Sequence, residues 1–562
     1  MRVLGLSCHY HDAAAALTDG GRILAAAHEE RFDRVKGSAG LPIRAINACL
    51  QTGGLTLDEI DAVAFYEKPF TKLERVLVSH LRAWPRSLST FLQTLPPWLD
   101  DRLVLPLALE REVGFTGPIA YLPHHLAHAA SAFLPSPFEE AAILTADGVG
   151  EWDTTTLGVG RGRSITLTHK LTYPDSLGLL YTAITTWLGF GALTGEGKVM
   201  ALAEYGEPEL LEALRALVQV RADGSFRLDR RAFAMVEGDR MFGPAFVERF
   251  GPARAPGAPI EDRHRAMAAS LQRLLEDITL AMARHLHALT GLKHLCMAGG
   301  VALNITTTSR VLAETPFEDL FIQPAAGDAG GALGAALYRA LLEGGEREVM
   351  HSAALGPQYP ASQGRRALLS TGLPLHEPPR EELLARVARL IAQDRIVGWF
   401  QGRLEYGPRA LGQRSILANP QNPAMKDILN ARVKHREPFR PYGVSVLRER
   451  VGEFFEPDRD SPFMLQVARA HEQVRARIPA VVHANGTTRL QTVTREQNGV
   501  YYDLIAAFAA ATDVPMVINT SFNDKDEPIV CTPEDAVRCF LGTELDALVI
   551  GDALVVKPGV EG

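Results

Sequence analysis

Ala141-Ala142-Ile143-Leu144-Thr145-Ala146-Asp147-Gly148-Val149-Gly150 is an apolar run that breaks on an acidic, glycine-bearing turn. A run of this kind without polar alternation predicts a strand buried on both faces. Strand-like segments follow at 153–160 and 164–171, with glycine turns between them, so a three-strand meander is expected. The chain opens in the same way. Arg2-Val3-Leu4-Gly5-Leu6-Ser7 is followed by a strand-like stretch from His11 to Thr18 and another from Arg22 to His28, the last two joined by the hairpin signal Asp19-Gly20-Gly21. Two such meanders, each with a polar turn after its first strand and helices behind it, predict an internally duplicated α/β fold. The two turns would face each other across a cleft, where main-chain N–H groups can bind phosphate oxygens.

This is the pattern of a duplicated actin-like or sugar-kinase-like nucleotide-binding fold, and the residues around the expected cleft carry chemistry. Between the meanders lies Pro123-His124-His125-Leu126-Ala127-His128-Ala129-Ala130-Ser131-Ala132-Phe133. With Pro123 in the first turn, His124 and His128 fall four apart on one helical face, and two imidazoles so spaced form half of a metal site. The alanines leave room for another element to pack closely. Asp147 and Asp328, each in a glycine-rich turn, are the candidates to complete the shell, since a carboxylate at a cleft floor is costly unless paired or metal-bound. His294 to Asn304 reads as a buried strand ending in Gly299-Gly300, where the backbone can approach a ligand closely. Gly195-Glu196-Gly197-Lys198 is not a Walker A loop, because Ala192 and Val199 stand where glycine and Ser or Thr are needed. Lys198 between flexible glycines is still a candidate anion contact. A long helix is expected from about Arg263 to Leu289. Trp84, Phe91 and Trp98 in the helix-like stretch 67–113 predict core packing, and 220–262 reads as loop-rich.

At 562 residues the chain is too long for one core, and 46% apolar with 22% charged residues is ordinary for a globular protein. A formal net charge of -8 argues against a nucleic-acid partner. The five cysteines, Cys8, Cys49, Cys296, Cys531 and Cys539, are scattered without a CxxC pair, which points away from disulfides and thiolate zinc and toward a reducing compartment. With no signal peptide and no apolar run of spanning length, a cytoplasmic location without membrane contact is expected.

The pattern breaks around 343–363, where a domain boundary is expected. A helix from 381 to 393 and a strand from 396 to 400 then lead into Glu405-Tyr406-Gly407-Pro408-Arg409-Ala410-Leu411-Gly412. Arg403, Arg409, Arg414, Lys434, Arg436, Arg440 and Arg489 lie among Gly, Pro, Phe and Tyr in this acidic chain. Such a concentration of fixed cations points to a polyanion, because guanidinium groups match phosphate in a two-bond fork.

Taken together, the motifs resemble the O-carbamoyltransferase family that decorates antibiotics and nodulation factors. The resemblance rests on His11-Asp12 with Glu29-Glu30-Arg31-Phe32, the His124 to His128 run, Asp147-Gly148, Gly195 to Met200, Gly299-Gly300-Val301 with Asn304, and Gly327-Asp328. It continues through Glu405 to Gly412, Lys434 to Pro441 and Asn519-Thr520-Ser521-Phe522-Asn523. It implies an actin-like ATPase domain, here residues 1–345, fused to a YrdC-like α/β domain, here 346–562. It further implies that the second domain makes carbamoyl adenylate from carbamoyl phosphate and ATP, and that the first transfers the carbamoyl group to a hydroxyl of a small-molecule acceptor. By the same resemblance His124, His128, Asp147 and Asp328 match Fe(II) ligands, and His11 matches the base for the acceptor hydroxyl. Lys198, Gly299, Gly300 and Asn304 are expected to contact nucleotide, and Arg409, Lys434, Arg436, Arg440, Arg489, Asn519, Ser521 and Asn523 to contact carbamoyl phosphate and ATP. The donor set also suits Zn, Mn or Co, Mg2+ is expected with ATP, and a homodimer is left open. Two residues depart from the family pattern: Asn485 stands where Asp is common, and Asp526 where Gly is common. The competing readings are a sugar-kinase-like phosphotransferase and a non-catalytic nucleotide-binding regulator.

Overall fold

The computed structural model describes residues 1–236 and 240–560, so 237–239 of the loop-rich 220–262 stretch lie outside the described residues. The described chain forms two compact units, one of residues 1–29 with 37–350, the other of residues 30–36 with 351–562.

The first unit holds two five-stranded sheets of identical order. In one, β1 (Arg2–Ser7), β2 (Ala14–Asp19) and β3 (Arg22–His28) form an antiparallel meander, and β4 (Ala62–Phe65) and β5 (Ile119–Tyr121) add in parallel beyond β1. In the other, β6 (Glu140–Ala146), β7 (Asp153–Arg161) and β8 (Ser164–Thr172) form the meander. A small hairpin, β9 (Val218–Val220) with β10 (Phe226–Leu228), intervenes, and β11 (His294–Ala298) and β12 (Asp319–Ile322) then add in parallel beyond β6. The repeated order is the duplicated actin-like arrangement expected from the sequence. β1 and β6 are central in their sheets and buried almost throughout, which is why both read as unbroken apolar runs. The expected second strand starts at Ala14 rather than His11. His9 and Asp12 take left-handed backbone (φ 73° and 52°), so the segment holding His11 is a turn.

The long helix Asp262–Thr290 buries Met267, Leu271, Leu274, Ile278 and Met282 at three- and four-residue spacing and ends on Gly291 at φ 64°. In the 67–113 stretch Trp98 is core, but Trp84 is 56% exposed, so only part of that aromatic pattern is internal.

The second unit is built on one ten-stranded mixed sheet. Its strands are β13 (Leu375–His376), β14 (Val397–Phe400), β15 (Arg414–Ala418), β16 (Gly443–Leu447), β17 (Phe455–Glu456), β18 (Gln466–Ala470), β19 (Thr487–Val493), β20 (Met516–Ser521), β21 (Ala547–Ile550) and β22 (Ala553–Val556). They run in the order β13-β22-β21-β14-β15-β20-β16-β19-β18-β17. Trp399, Ile416, Val444, Ile518 and Leu548 form its core with the helices Arg380–Ala392 and Arg495–Thr512. Residues 30–36 belong here: Arg31 Nη2 donates to Gly407 O at 2.8 Å and Phe32 packs on Leu404, Ala410, Ile529 and Cys531.

Candidate metal centre and cationic cluster

The helix His124–Phe133 is preceded by Pro123 and packs against the helix Asp328–Leu342. A Cβ added to Gly334 would lie 2.0 Å from the carbonyl oxygen of Ala127, so glycine on one helix and the alanine-rich face of the other permit the approach. That approach carries Asp328, first residue of its helix, to the imidazoles of the other. Asp147 arrives from the end of β6. Its Oδ1 accepts from Gly300 N at 2.8 Å, and Gly299 beside it, at φ 90°, runs so close to β6 that a Cβ would lie 2.2 Å from Ala146 O.

One donor atom from each of His124, His128, Asp147 and Asp328 lies within 4.8 Å of all the others, and all four residues are buried. His124 Nε2 is 3.0 Å from His128 Nε2 and 3.1 Å from Asp147 Oδ2. His128 Nε2 is 3.4 Å from Asp147 Oδ2, and Asp328 Oδ1 is 3.6 and 3.5 Å from the two Nε2 atoms. Donors about 2.1 Å from one ion stand roughly 3.0 Å apart in an octahedron and roughly 3.4 Å apart in a tetrahedron. The set therefore has the edge lengths of a first coordination shell, and the residues fit a divalent cation. Asp328 Oδ1 is buried without a hydrogen-bond partner among the described residues, which a cation would satisfy. For His128, burial disfavours the proton but the adjacent carboxylates of Asp147 and Asp328 outweigh it and raise its pKa to about 9. Burial pushes the Asp147 carboxyl up, yet the two histidines hold it well below the usual carboxylate range.

His11 sits on its turn at the edge of this group. Its Nε2 is 3.7 Å from Asp328 Oδ2, its Nδ1 is 2.9 Å from Asp12 Oδ2, and the Tyr10 ring lies 4.6 Å away. Burial disfavours its charge, but Asp328, Asp12 and Asp147 outweigh burial and raise it to about 9. With those carboxylates uncompensated His11 holds a proton at neutral pH.

In the second unit, sheet register gathers the cations. Gly443 on β16 stands opposite Arg489 of β19 on one side and Asn519 of β20 on the other, so both residues project from one face. The Asn519 amide donates to Ala410 O at 3.1 Å and to Ser445 and Gln491, each at 2.9 Å, and so holds the loop that carries Arg409. Lys434 Nζ donates to Ser521 O, to Asn523 O at 3.0 Å and to Asn523 Oδ1 at 2.7 Å. Burial, then the charges of Arg436 and Arg440, hold Lys434 well below the ordinary lysine value. Arg409 and Arg440 are each pulled down to about 10 by burial, followed by Arg440 acting on Arg409 and Arg436 acting on Arg440. Neither guanidinium has an ion-pair or hydrogen-bond partner among the described residues, and Arg409 Nε is fully buried. Glu437 and Asp526 near Arg440, and Asp524 near Lys434, offset part of this charge, but burial outweighs them.

The family profile for the carbamoyltransferase N-terminus matches residues 2–337, and that for the carbamoyltransferase C-terminus matches 388–557. The chain belongs to the carbamoyltransferase family. This carbamoyltransferase is 42% identical over 594 residues to an uncharacterized protein of Synechocystis sp., covering 99% of this chain and 96% of that one. It is 40% identical over 570 residues to the nodulation protein NolNO of Sinorhizobium fredii, covering 97% and 79%. To nodulation protein U of Bradyrhizobium diazoefficiens it is 29% identical over 550 residues, covering 93% of this chain and 92% of that one. Among solved structures, component A of the Acidaminococcus fermentans (R)-2-hydroxyglutaryl-CoA dehydratase covers 61% of the carbamoyltransferase and 99% of its own chain at 15% identity and TM-score 0.33. HypF of T. kodakarensis covers 61% and 48% at 15% identity and TM-score 0.32.

Several residues of the carbamoyltransferase have places that spacing did not reveal. His125 is neutral and structural: burial, then its neighbours His124 and His128, push it well below the ordinary histidine value, and it bridges Thr145 Oγ1 at 2.6 Å and Asp153 O at 2.9 Å. Asn304 has both ends of its amide engaged, capping Thr307 N at 3.1 Å and pairing with Gln272. Gly300 uses its N–H on Asp147, and Lys198 lies in the first turn of the helix Glu196–Leu202 with its ammonium 6.0 Å over the Phe190 ring. Arg436 lies over Tyr442 at 4.5 Å and donates to Asn430. Of the seven cations read as one cluster, Arg403 and Arg414 are spent on main-chain carbonyls and shape the loop instead. Glu405 was overlooked: its Oε1 accepts from the N–H groups of Leu411, Gln413 and Arg414 at 2.8, 2.7 and 3.0 Å and folds the Arg409 loop around itself. In the sequence it stood only as the first residue of the Glu405 to Gly412 run, with no role of its own. Asn485 makes a tight turn with Thr487, and Asp526 sits at φ 60°.

Proposed function

We propose that the chain carbamoylates a hydroxyl of a small-molecule acceptor with carbamoyl phosphate and ATP, by way of carbamoyl adenylate. The division of labour assigned to it is adenylate formation in the second unit and transfer in the first. The observation that carries the reading is the pair of half-buried guanidinium groups Arg409 and Arg440, neither of them hydrogen-bonded or ion-paired to a carboxylate among the described residues, beside Lys434. Phosphate groups balance such charge, and each charge-assisted bond contributes about 1.5–3 kcal/mol. In this reading carbamoyl phosphate and water give inorganic phosphate and carbamate. A carbamate oxygen then attacks the α-phosphorus of ATP and pyrophosphate leaves. Arg409, Arg440 and Arg489 neutralise charge that builds on the phosphoryl oxygens, while Asn519, Ser521, Asn523 and Arg436 hold the loop and the lysine in position. Mg2+ accompanying ATP would lower the charge to be balanced.

In the first unit the acceptor hydroxyl oxygen attacks the carbamoyl carbon and AMP leaves. His11 takes the hydroxyl proton at Nε2 or Nδ1, and it can do so only after losing the proton that Asp147 and Asp328 favour. His124, His128, Asp147 and Asp328 would hold Fe(II) or another divalent ion, which supplies Lewis-acid polarisation of an oxygen when bound. The turn at Gly299-Gly300, shaped by Asn304, and Lys198 are assigned to the nucleotide. No described helix is long and apolar enough to cross a membrane. Incubating the full chain with ATP and carbamoyl phosphate tests the reading. Pyrophosphate and AMP chemistry supports it, whereas ADP as the nucleotide product would favour a kinase.

A further inference from the structure

The first unit holds another guanidinium that its fold leaves unbalanced. Arg75, on the helix Pro69–Arg82, is half-buried and its Nε is wholly buried, with no hydrogen-bond or ion-pair partner among the described residues. It lies 5.0 Å over the Tyr173 ring. The acidic groups within its reach are Glu67 and Glu151, and both have other work. Glu67 is paired with Lys72 on the inner side of the same helix, and Glu151 accepts from the backbone N–H of Lys68 at 2.7 Å and of His124 at 3.1 Å.

These residues form a ring of contacts around one floor. Lys72 lies 5.1 Å over Tyr10, whose ring is 4.6 Å from His11. Arg75 is one helical turn from Lys72. Tyr173, under Arg75, donates its N–H to Trp152 O at 2.7 Å, next to Glu151, which caps the helix bearing His124. The cation is therefore linked through Lys72 and Tyr10 to His11, and through Tyr173 and Glu151 to the helix that bears His124. A buried arginine without an acceptor costs folding free energy, and the chemistry that repays it is a two-oxygen anion.

We propose that Arg75 anchors an anion subsite beside His11, taking a phosphate or carboxylate group of a bound reactant. The anion subsite stands on this geometry, and only its assignment to a reactant rests on the transfer reading above. Two sources share the chemistry: the phosphate of the adenylate, and an anionic group on the acceptor.

The test uses the full chain carrying Arg409→Ala and Arg440→Ala, which silences the cluster in the second unit, and follows thermal unfolding with inorganic phosphate, AMP, glucose 6-phosphate and glucose. Phosphate is expected to raise the melting temperature in that background, and Arg75→Met to weaken phosphate binding by at least about tenfold. Arg75→Met is also expected to raise the melting temperature of the ligand-free chain by about 2 °C, because it removes an unbalanced buried charge. Arg75→Lys should keep part of the phosphate response. A response to AMP that depends on Arg75 assigns the subsite to the nucleotide, and one to glucose 6-phosphate but not glucose assigns it to the acceptor. A phosphate response undiminished by Arg75→Met, or a ligand-free chain destabilised by it, overturns the proposal. Pyrophosphate release measured on the wild-type chain fails if the two-step reading fails, and it leaves the phosphate titration independent.

Discussion

His124 Nε2 and His128 Nε2 stand 3.0 Å apart, and Asp328 Oδ1 is 3.6 Å from the first and 3.5 Å from the second. Two ring nitrogens so close need a proton or a cation between them, because their lone pairs otherwise face each other. A cation also replaces the charge that the buried carboxylates would otherwise draw from protons.

That competition has a definite sign. The pKa of His128 is raised to about 9, so below that pH its proton must leave before a metal can bind. Affinity for Co(II), followed by its visible absorption, should fall about tenfold per pH unit for each proton displaced as the pH drops from 8.5 to 6.5. His128→Ala or Asp328→Asn should weaken binding by more than the roughly 10- to 100-fold that an outer-sphere partner costs. A pH-independent affinity would show that these imidazoles are not ligands.

His11 should report the same charge. In the metal-free chain its imidazole resonances are expected to titrate at about 9. A divalent cation offsets Asp147 and Asp328, so its addition should lower that midpoint toward the ordinary value of about 6.5. An unmoved midpoint would separate His11 from the metal group.

Glu405 holds three backbone N–H groups, and Glu405→Ala would leave buried donors unsatisfied. Each such donor costs about 1–3 kcal/mol. The variant should lower the unfolding free energy, read from the urea transition, by at least about 2 kcal/mol and weaken ATP binding through displacement of Arg409. Glu405→Gln, which retains an acceptor oxygen, should recover part of both.

Asp526 at φ 60° is exposed and occupies backbone that glycine adopts without strain. Asp526→Gly should stabilise the chain by about 0.5 kcal/mol or more, with the urea midpoint as the readout, after allowing for the added unfolded-state freedom of glycine. A loss of stability would mean that the Asp side chain fixes this turn.

The duplication was legible because β1 and β6 are central strands buried on both faces, and their apolar runs end on the turns that hold His11 and Asp147. The histidine pair was legible too, since four-residue spacing on a helix places two rings together whatever surrounds them. Their partner carboxylates were read from glycine-rich turns and from the family resemblance; the packing of Gly334 against Ala127 that delivers Asp328 lies in no local pattern. Charge content overstated the cation cluster, because Arg403 and Arg414 read like Arg409 in sequence yet spend their donors on carbonyls. The return of residues 30–36 to the second unit was hidden because Arg31 meets Gly407, 376 residues on, and only the fold brings them near. The role of Glu405 was hidden because a carboxylate collecting N–H groups six to nine residues on in an irregular loop has no periodic signature.

The most direct measurement compares His11→Ala with Arg440→Ala in two reactions, pyrophosphate release from ATP and carbamoyl phosphate, and carbamoyl transfer from supplied carbamoyl adenylate. The expected result is a crossed loss: His11→Ala keeps pyrophosphate release and loses transfer by about 10²- to 10⁴-fold, while Arg440→Ala loses pyrophosphate release and keeps transfer. Equal loss of both reactions in either variant would contradict the division between the two units.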